Sequence, residues 1–352
     1  MKGFLKFLLG IIAVIAAGAV LLLVFLSVTE YRPAEIEQLN VAGNSTGKKI
    51  PAGEPIEIIS WNVGYGALGK DADFVMDGGG NVPSADRETV AANLRGIREV
   101  LGRQENTEIY LLQEVDIDSS RSYRTDFRNT LSLAQHAFAL NYSCPFVPFP
   151  WPPFARVNSG LLTTAGYDIG LAERVSLPCP FTWPLRTANL KRCLLVSYLP
   201  VENSEKQLVL INLHLEAYDS GEGKIAQTKQ LKEFMQLEYE KGNYVIAAGD
   251  FNQAFPGTEE IYPNTHEELW AIGFLEDESI PEGFSYVFDD SVPTCRLLNQ
   301  PYNPADTANT QYYVIDGMIV SPNIKVERAE TLDEGFVYSD HNPVHCVLTL
   351  QP

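Results

Sequence analysis

Basic residues are scarce in this chain. Its 352 residues include 26 lysines and arginines against 45 aspartates and glutamates, so the formal net charge is −19. Proteins that hold nucleic-acid backbones along their length do so mainly with lysine and arginine. The charge therefore argues against a general polyanion-binding protein, although a nuclease with a short local groove stays compatible with it. A domain that gathers cations also fits this charge.

Cysteine is also rare, and no Cys-x-x-Cys pair occurs among the five cysteines. Structural zinc sites are typically built from such pairs, so the sequence argues against one. Cys193 and Cys346 lie in apolar runs and are predicted to be buried thiols. Cys144 and Cys179 could form a disulfide if the domain lies outside the cell.

A long uncharged run dominates the N-terminus. Residues 7–28 read FLLGIIAVIAAGAVLLLVFLSV, and about 20 apolar residues are enough to span a bilayer as a helix. Lys2 and Lys6 precede the run, which places the N-terminus inside the cell and the rest of the chain outside. We therefore expect a single-pass anchor in the cell membrane, with residues 1–6 as a short cytoplasmic tail.

A cleaved signal peptide is the alternative interpretation of this run, and it would make the domain a secreted one. The apolar core of a signal peptide is normally about 7–15 residues long and ends at a small-x-small site. Here the small residues Ala16, Ala17 and Ala19 lie in the middle of the run, and more leucine, valine and phenylalanine follow. The pattern favours the anchor.

The rest of the chain divides into a linker and one domain. Residues 29–54 lack periodicity and predict an extracytoplasmic linker, whereas residues 55–352 show no second linker or internal repeat. Strand-like runs lie at 56–60, 108–115, 160–165, 193–199, 207–217, 244–248, 312–320 and 344–350. Helices are predicted after Pro83-Ser84, at 132–140 and at 225–242. The first of these is predicted because four apolar residues lie on one helix face: Val90, Leu94, Ile97 and Leu101. This pattern predicts an α/β or α+β domain with sheets covered by helices.

Polar side chains follow several of these apolar strands. They are Asn62, Glu114, His214, Asp250 with Asn252, Asp316, and the Asp340-His341 pair of the SDHNP sequence. Each one taken singly has a structural explanation: a turn, the solvated end of a strand, or a buried histidine with a partner. A purely structural explanation fits Asp316 within YVIDGMIV least well, because a buried carboxylate is costly unless it is paired.

The set as a whole predicts phosphate-ester chemistry. Carboxylate and amide oxygens suit a hard cation such as magnesium, and the absence of cysteine from the set argues against zinc. Two histidines beside carboxylates supply acid and base groups near neutral pH. A divalent cation with these groups is what the hydrolysis of a phosphate ester needs.

Six short sequences resemble the motifs of the endonuclease/exonuclease/phosphatase family, in the same order and at about the same spacing. They are SWNVG, LLQEVD, INLHLEA, AAGDFNQ, YVIDGMIV and SDHNPV. The resemblance covers about residues 56–350. It implies a four-layer sandwich of two packed mixed β-sheets flanked by helices, with the site at one edge, here preceded by one N-terminal transmembrane helix.

The resemblance also implies a metal site. Glu114 is similar to the main magnesium ligand of the family, with Asn62 and Asp340 beside it. Manganese is the alternative ion. The same resemblance makes the protein a magnesium-dependent phosphoric ester hydrolase, which activates water for in-line attack on phosphorus.

The catalytic roles are carried over motif by motif. Asp250 resembles the residue that orients or deprotonates the attacking water. Asn252 and His214 are expected to bind the phosphoryl oxygens. His341 is expected to be a second histidine in contact with the phosphate, and Asp316 to orient it and keep it protonated.

The chain departs from the family pattern at two motifs. Gly317 follows Asp316 where many relatives have a bulky aromatic residue or histidine, and Asn158-Ser159-Gly160 replaces a usual Asn-Gly. Asn158 is expected to be a phosphate-binding residue by its place in this altered motif. Loop 64–81, with three aspartates, matches no role in the family.

The substrate stays open at the level of the sequence. The family divides between nucleic acids, sugar phosphates and phospholipids, so the fold does not choose among them. A membrane tether and the aromatic, proline-rich loop 145–154 favour a phosphodiester of a lipid headgroup, although that loop could instead pack on the core. One alternative is a nuclease that stacks bases on these aromatic residues. A second is an enzyme that hydrolyses a small soluble phosphodiester. A third is an inactive scaffold of the same fold that only binds its ligand. No obligate protein partner is inferred.

Overall fold

The computed structural model describes residues 2–82, 85–132, 134–219, 221–306 and 309–351. The strands are β1 Ile36–Gln38, β2 Pro55–Asn62, β3 Ile109–Asp116, β4 Gln135–Val147, β5 Ala155–Ala165, β6 Leu171–Ser176, β7 Cys193–Pro200, β8 Gln207–His214, β9 Tyr244–Asp250, β10 Gln253–Ala254, β11 Gly273–Phe274, β12 Ser285–Val287, β13 Cys295–Arg296, β14 Tyr312–Tyr313, β15 Asp316–Val320, β16 Ile324–Thr331 and β17 Val344–Leu350. The α-helices are α1 Lys2–Val28, α2 Arg87–Gly102, α3 Arg128–Leu131, α4 Glu222–Glu240 and α5 Thr258–Ile261.

Two mixed β-sheets form the centre of the domain. One has the order β16-β17-β2-β3-β5-β4, and the other has the order β1-β6-β7-β8-β9-β15-β12. In the first sheet β2 runs parallel to β3, and in the second β8 runs parallel to β9. The predicted strand at 312–320 is divided, because β14 pairs with β13 outside both large sheets and β15 begins only at Asp316.

Helices cover the outer face of each sheet. Between the sheets, Ile58 and Leu111 of one pack in the same core cluster as Leu210 and Ile246 of the other. The outward-facing residues of the first sheet pack on α2, through Val90, Leu94, Ile97 and Leu101. Those of the second sheet pack on α4, through Leu231 and Met235. Alternate residues of a strand point to opposite faces, so apolar strands of this kind require cover on both sides, and the predicted four-layer sandwich is confirmed.

Helix α2 begins where its sequence supplies a cap. The Asp86 carboxylate accepts a hydrogen bond from the backbone N–H of Thr89 at 2.8 Å, which satisfies one of the free N–H groups of the first turn. Pro83 and Ser84, expected at the start of this helix, lie outside the described residues. The predicted apolar face of the helix is buried as expected.

The helix predicted at 132–140 is wrong. Leu133 lies outside the described residues, and from Gln135 the chain forms β4, the edge strand that pairs with β5. Ala137 and Ala139 are fully buried and alternate with less buried neighbours, which is the period of a strand. Pairing with β5 therefore overrides the helix propensity of alanine and leucine, while the proline-rich sequence after Ser143 stays off the central strands as predicted.

Segment 29–54, predicted as a linker, packs on the domain in this structure. Its strand β1 pairs with β6 at the edge of the seven-stranded sheet, with Ile36 opposite Val175. Ile50 is fully buried, and the Asp168 carboxylate accepts hydrogen bonds from the backbone N–H groups of Thr46 and Gly47. Apolar side chains in the segment drive this packing, since leaving them in water would cost free energy.

Helix α1 is long and apolar enough to cross a membrane, judged by length and composition alone, and it extends over 2–28 rather than 7–28. Its last turn contacts the domain. Leu26 is buried in a cluster with Val147 and Val157, and the Trp183 indole donates a hydrogen bond to the Ser27 hydroxyl at 3.0 Å.

The five cysteines are free in this structure. Cys193 and Cys346 are buried as predicted, while Cys144 is buried and Cys179 exposed without a bond between them.

Candidate active site

The polar strand ends meet at one edge of the sandwich. In the seven-stranded sheet, His214 ends β8 and lies opposite Asp250, which ends the parallel strand β9. Asp316 begins β15 and lies on the other side of Asp250, because that pair is antiparallel. Asn62 ends β2 in the facing sheet. Strand direction and register bring His214, Asp250 and Asp316 together, and the packing of the two sheets adds Asn62.

Asp250 lies at the centre of the group. Its Oδ2 accepts a hydrogen bond from Asn62 Nδ2 at 3.0 Å, and its Oδ1 accepts one from the backbone N–H of Asn252 at 2.9 Å. Burial raises the pKa of Asp250 to about 6, and the negative charge of Asp316 adds to this effect. The two hydrogen bonds fix the orientation of a carboxylate that has a stronger affinity for protons than an ordinary aspartate.

His341 and Asp316 form a buried pair. His341 Nδ1 lies 2.8 Å from Asp316 Oδ2, while Nε2 lies 3.7 Å from Asp250 Oδ2. Burial by itself would lower the pKa of His341, but the Asp316 charge and further acidic neighbours outweigh it, and the pKa lies well above 6.5. His341 is therefore a protonated imidazolium near neutral pH, with Nε2–H directed towards Asp250.

His214 lies on the other side of Asp250 and has the opposite protonation. Its Nε2 is 3.5 Å from Asp250 Oδ2. Burial lowers the pKa of His214 well below 6.5, and the positive charges of Arg192 and His341 lower it further. The group thus holds one neutral and one charged histidine around a single carboxylate.

Glu114 is placed by an irregularity of β3. Its φ is +55°, and the pairing of β3 with β5 shifts between Leu112 and Val115, which is the geometry of a β-bulge. Glu114 Oε1 lies 3.4 Å from Asn62 Nδ2, and Oε2 is buried with no hydrogen-bond donor among the described residues. Burial raises the pKa of Glu114, and the neighbouring charges of Arg121 and His341 offset only part of the rise.

Asp340 completes the acidic side of the group. Burial raises the pKa of Asp340 to about 7; His341 opposes this rise, whereas the negative charge of Glu114 adds to it. Glu114 and Asp340 are carboxylates with raised pKa values, and Glu114 has a buried oxygen without a hydrogen-bond partner among the described residues. A hard divalent cation would be a suitable partner for these oxygens. The residues present therefore fit a metal ion.

A second arrangement of possible ligands lies next to this one. One ligand atom each of Asp250, Asp316 and His341 lie within 4.8 Å of one another, close enough to hold an ion. The hydrogen bond between His341 and Asp316 already uses both groups, so an ion between them would have to break it. Asp316 Oδ1 and Glu114 Oε2 are both buried without a hydrogen-bond donor among the described residues, but Glu114 is not engaged in a histidine pair, so we regard it as the better ligand.

Two predicted residues differ from expectation. The Asn252 amide is buried, but its Nδ2 donates to the Leu215 carbonyl at 2.9 Å and holds the turn after β9. Asn158 is not brought into the group: its Oδ1 accepts a hydrogen bond from the Ser143 hydroxyl, and Ser159 lines the cavity in its place. Neighbouring residues of a strand point to opposite faces, so Asn158 lies away from the cavity that Ser159 lines, and its phosphate-binding role stays a prediction.

Sequence reasoning missed two buried arginines beside the group. The Arg121 guanidinium lies 3.6 Å from the centre of the Tyr65 ring and pairs with Asp116. Arg192 donates to the His214 carbonyl at 3.0 Å and pairs with Glu216. Each is an isolated residue outside the recognised motifs, so no sequence signal marks it.

Loop 64–81 also reaches the site. Asp77 lines the cavity, and its carboxylate accepts a hydrogen bond from the Tyr218 hydroxyl at 2.7 Å and another from the backbone N–H of Leu298. The aromatic loop 145–154 also reaches the cavity, which is lined by its residues Phe149, Pro150 and Phe154. The cavity has a volume of about 530 Å³. Every member of the Asp250 group except Asp316 lines it; the group consists of Asn62, Glu114, His214, Asp250, Asp316, Asp340 and His341.

Comparison with solved structures shows the same fold in proteins of low sequence identity. An endonuclease/exonuclease/phosphatase from Beutenbergia cavernae is 17% identical, with a TM-score of 0.54 over 84% of this chain and 72% of that one. One from Bacteroides vulgatus is 13% identical, with a TM-score of 0.52 over 85% and 100%. TDP2 from Caenorhabditis elegans is 14% identical, with a TM-score of 0.50 over 85% and 75%.

The sequence comparison identifies the family. No curated protein matches the chain significantly in sequence. The model of the Endonuclease/Exonuclease/phosphatase family, however, matches residues 59–341. That range holds the parallel pair β8–β9, the end of β2 with its parallel partner β3, the bulge at Glu114 and every residue of the Asp250 group. On this match, the chain belongs to the endonuclease/exonuclease/phosphatase family.

Proposed function

We propose that this protein is a metal-dependent phosphodiesterase that hydrolyses its substrate by in-line attack of water. The observation that carries the proposal is the position of Asp250 between a neutral and a charged histidine, with Asn62 and the Asn252 backbone holding its two oxygens. A positioned base of this kind contributes about 10²–10⁴-fold to a rate.

The chain's own groups account for the movement of protons. Asp250 accepts a proton from water as the water oxygen bonds to phosphorus. His341, kept charged by Asp316, gives its Nε2 proton to the departing alcohol oxygen as the P–O bond breaks. The proton on Asp250 can then return to His341, whose Nε2 lies 3.7 Å away. Neutral His214 donates a hydrogen bond to a phosphoryl oxygen without adding a second positive charge beside His341.

Glu114 would hold the metal ion, with Asp340 and the Asn62 carbonyl oxygen beside it. Asn62 Oδ1 accepts the backbone N–H of Gly64 at 3.0 Å and keeps a second lone pair for a ligand bond. A bound magnesium ion, or manganese, would neutralise charge on the phosphoryl and leaving oxygens. Asn252 has a supporting role, since it fixes the turn that carries Asp250.

We further propose that α1 anchors the protein in the cell membrane as a single span, with residues 1–6 inside and the catalytic domain, 55–352, outside. The lysines before the apolar run support this orientation. The contact between the last turn of α1 and the domain supports an anchor that is kept rather than removed.

The full chain in detergent micelles tests the proposed activity. We expect turnover of bis(p-nitrophenyl) phosphate with magnesium, little turnover of p-nitrophenyl phosphate, and loss of activity with EDTA. Preference for the monoester would contradict a phosphodiesterase. If neither compound were hydrolysed with magnesium or manganese, the chain would be an inactive scaffold. Cleavage of DNA in preference to lipid or small diesters would establish the nuclease alternative.

A further inference from the structure

The catalytic cavity has an apolar wall that the chemistry does not need. Leu23 and Leu26 of α1 line it together with Phe149, Pro184 and Leu185. An N-terminal helix that served only as a tether would have no reason to form part of the substrate cavity. We therefore expect this wall to contact the part of the substrate that lies beyond its phosphate.

Large apolar side chains are exposed next to this wall. The apolar rim consists of Phe149, Trp151, Trp183 and Leu185, which are 68%, 84%, 57% and 68% exposed. Phe149 and Leu185 also line the cavity, and the Trp183 indole donates a hydrogen bond to Ser27 at the end of α1. Exposed clusters of this kind mark interaction surfaces, and tryptophan is typical of the membrane–water interface.

The length of α1 places the rim at the level of lipid headgroups. The helix has 27 residues, which corresponds to about 40 Å at the usual rise, whereas the hydrocarbon layer is about 30 Å thick. Residues 1–6 are assigned to the cytoplasmic side, so residues 7–28 cover about 33 Å, close to the thickness of the hydrocarbon layer. Leu23, Leu26 and Ser27 lie in the last turns of this span, at its outer boundary, so the bilayer that receives α1 also meets the rim.

We propose that the substrate is a phosphodiester of a membrane lipid, which enters between the end of α1 and loop 148–154. This rests on the proposed function: the lipid phosphate reaches the Asp250 group, and its acyl portion stays along Leu23 and the apolar rim. Water adds to phosphorus and one P–O ester bond breaks, so one product stays in the bilayer and the other leaves in water. The bilayer is favoured over a nucleic acid because the rim is continuous with α1 and the chain carries a net charge of −19.

The test compares two substrates for each variant of the full chain, reconstituted into vesicles of phosphatidylcholine, phosphatidylglycerol and sphingomyelin. Lipid cleavage is measured by mass spectrometry, and bis(p-nitrophenyl) phosphate turnover is measured in the same vesicles. We expect Trp151→Ser to lower the ratio of lipid to soluble turnover about tenfold, as removal of a large apolar contact should. Leu23→Trp, which fills the wall, should lower the same ratio through a different residue.

Leu237→Ser is the matched control, because Leu237 is 58% exposed on α4 and does not line the cavity. It should leave the ratio unchanged. Turnover of the soluble diester without cleavage of any vesicle lipid would overturn the inference but keep the proposed function. Cleavage of a single-stranded oligonucleotide instead of lipid, or an unchanged ratio in both Trp151→Ser and Leu23→Trp, would also overturn it. Absence of turnover of both substrates would remove the proposed function and this inference together.

Discussion

The two histidines beside Asp250 differ in charge although both are buried. The difference comes from their partners, because His341 faces the Asp316 carboxylate whereas His214 lies near the guanidinium of Arg192. Buried charge is costly without a partner, so each histidine adopts the state that its neighbour stabilises. Under the proposed function, His341 would then act as a proton donor and His214 as a neutral ligand for phosphate at the same pH.

At the residue scale, Asp250→Asn should lower turnover of bis(p-nitrophenyl) phosphate by about 10²–10⁴-fold, because an amide cannot accept the proton of water. The new side chain can still accept the Asn252 N–H, but its NH2 group would face the Asn62 Nδ2 donor, so the melting temperature should fall slightly while the fold is kept. Asp118→Asn, an exposed aspartate that pairs with Arg124, is the control and should keep full activity. A fully active Asp250→Asn protein would show that another group deprotonates the water.

Strand β9 can carry Asp250 to the site because the residue before it is glycine. Gly249 has a φ of +152°, and a Cβ there would lie 2.0 Å from the Leu213 carbonyl oxygen of β8. The parallel pairing of β8 with β9 therefore requires a residue without a side chain directly before Asp250.

Gly249→Ala should destabilise the fold by about 1–3 kcal/mol, because the backbone atom that it meets cannot move aside cheaply. Activity should fall as well, since any shift of β9 moves Asp250. Chemical denaturation and the diester assay measure the two effects. Gly102→Ala, at the end of α2 with no atom within 4 Å of the added group, should change stability little. Equal stability of the two variants would contradict this account of the strand.

Segment 45–47 is held on the domain by one carboxylate. Asp168 accepts hydrogen bonds from the Ser45 hydroxyl and from the backbone N–H groups of Thr46 and Gly47. These bonds lower the pKa of Asp168. A lowered pKa stabilises the folded state above the ordinary carboxyl value, and this stabilisation disappears as the pH falls through the lowered value.

Asp168→Ala should accelerate hydrogen exchange of the Thr46 and Gly47 amides at pH 7, with little effect on the two large sheets. The difference in melting temperature between wild type and variant should shrink from pH 7 towards pH 3. Asp118→Ala removes another exposed carboxylate and serves as the comparison. If the exchange of these amides stayed slow at pH 7, other contacts would have to hold the segment.

At the scale of the whole molecule, two sheets bring acidic groups from distant parts of the chain into one cavity. Glu114 and Asp340 come from the six-stranded side, and Asp250 and Asp316 come from the other sheet. Their mutual repulsion opposes the packing of the sheets unless a cation compensates for it.

Addition of magnesium to the metal-free chain should therefore raise the melting temperature, and EDTA should reverse the rise. Binding at 100 times the dissociation constant stabilises a fold by about 2.7 kcal/mol, which corresponds to a few degrees in a domain of this size. Glu114→Gln should reduce the rise, and Asp118→Asn should not. Identical melting in magnesium and EDTA would exclude a metal ion bound by this group.

The motifs made much of the fold and of the polar group predictable. Apolar runs covered on both faces must become central strands, and their polar ends predicted where Asn62, His214, Asp250 and Asp316 would lie. The strand β4 could not be predicted from its own residues, because its pairing with β5 decided its conformation. The position of Asn158 could not be predicted either. The irregular pairing of β4 with β5 determines which face of the sheet the Asn158 side chain occupies.

The sequence by itself determined the anchor-like helix, the layered domain, and the set of carboxylates, amides and histidines available for chemistry. Only the tertiary structure decided which side chains surround that set. Arg121, Arg192, Asp77 and Leu23 come from separate segments without a common pattern, and the packing of sheets, loops and α1 brings them to one cavity. Local sequence governs local conformation, whereas the walls of a cavity depend on contacts between residues far apart in the chain.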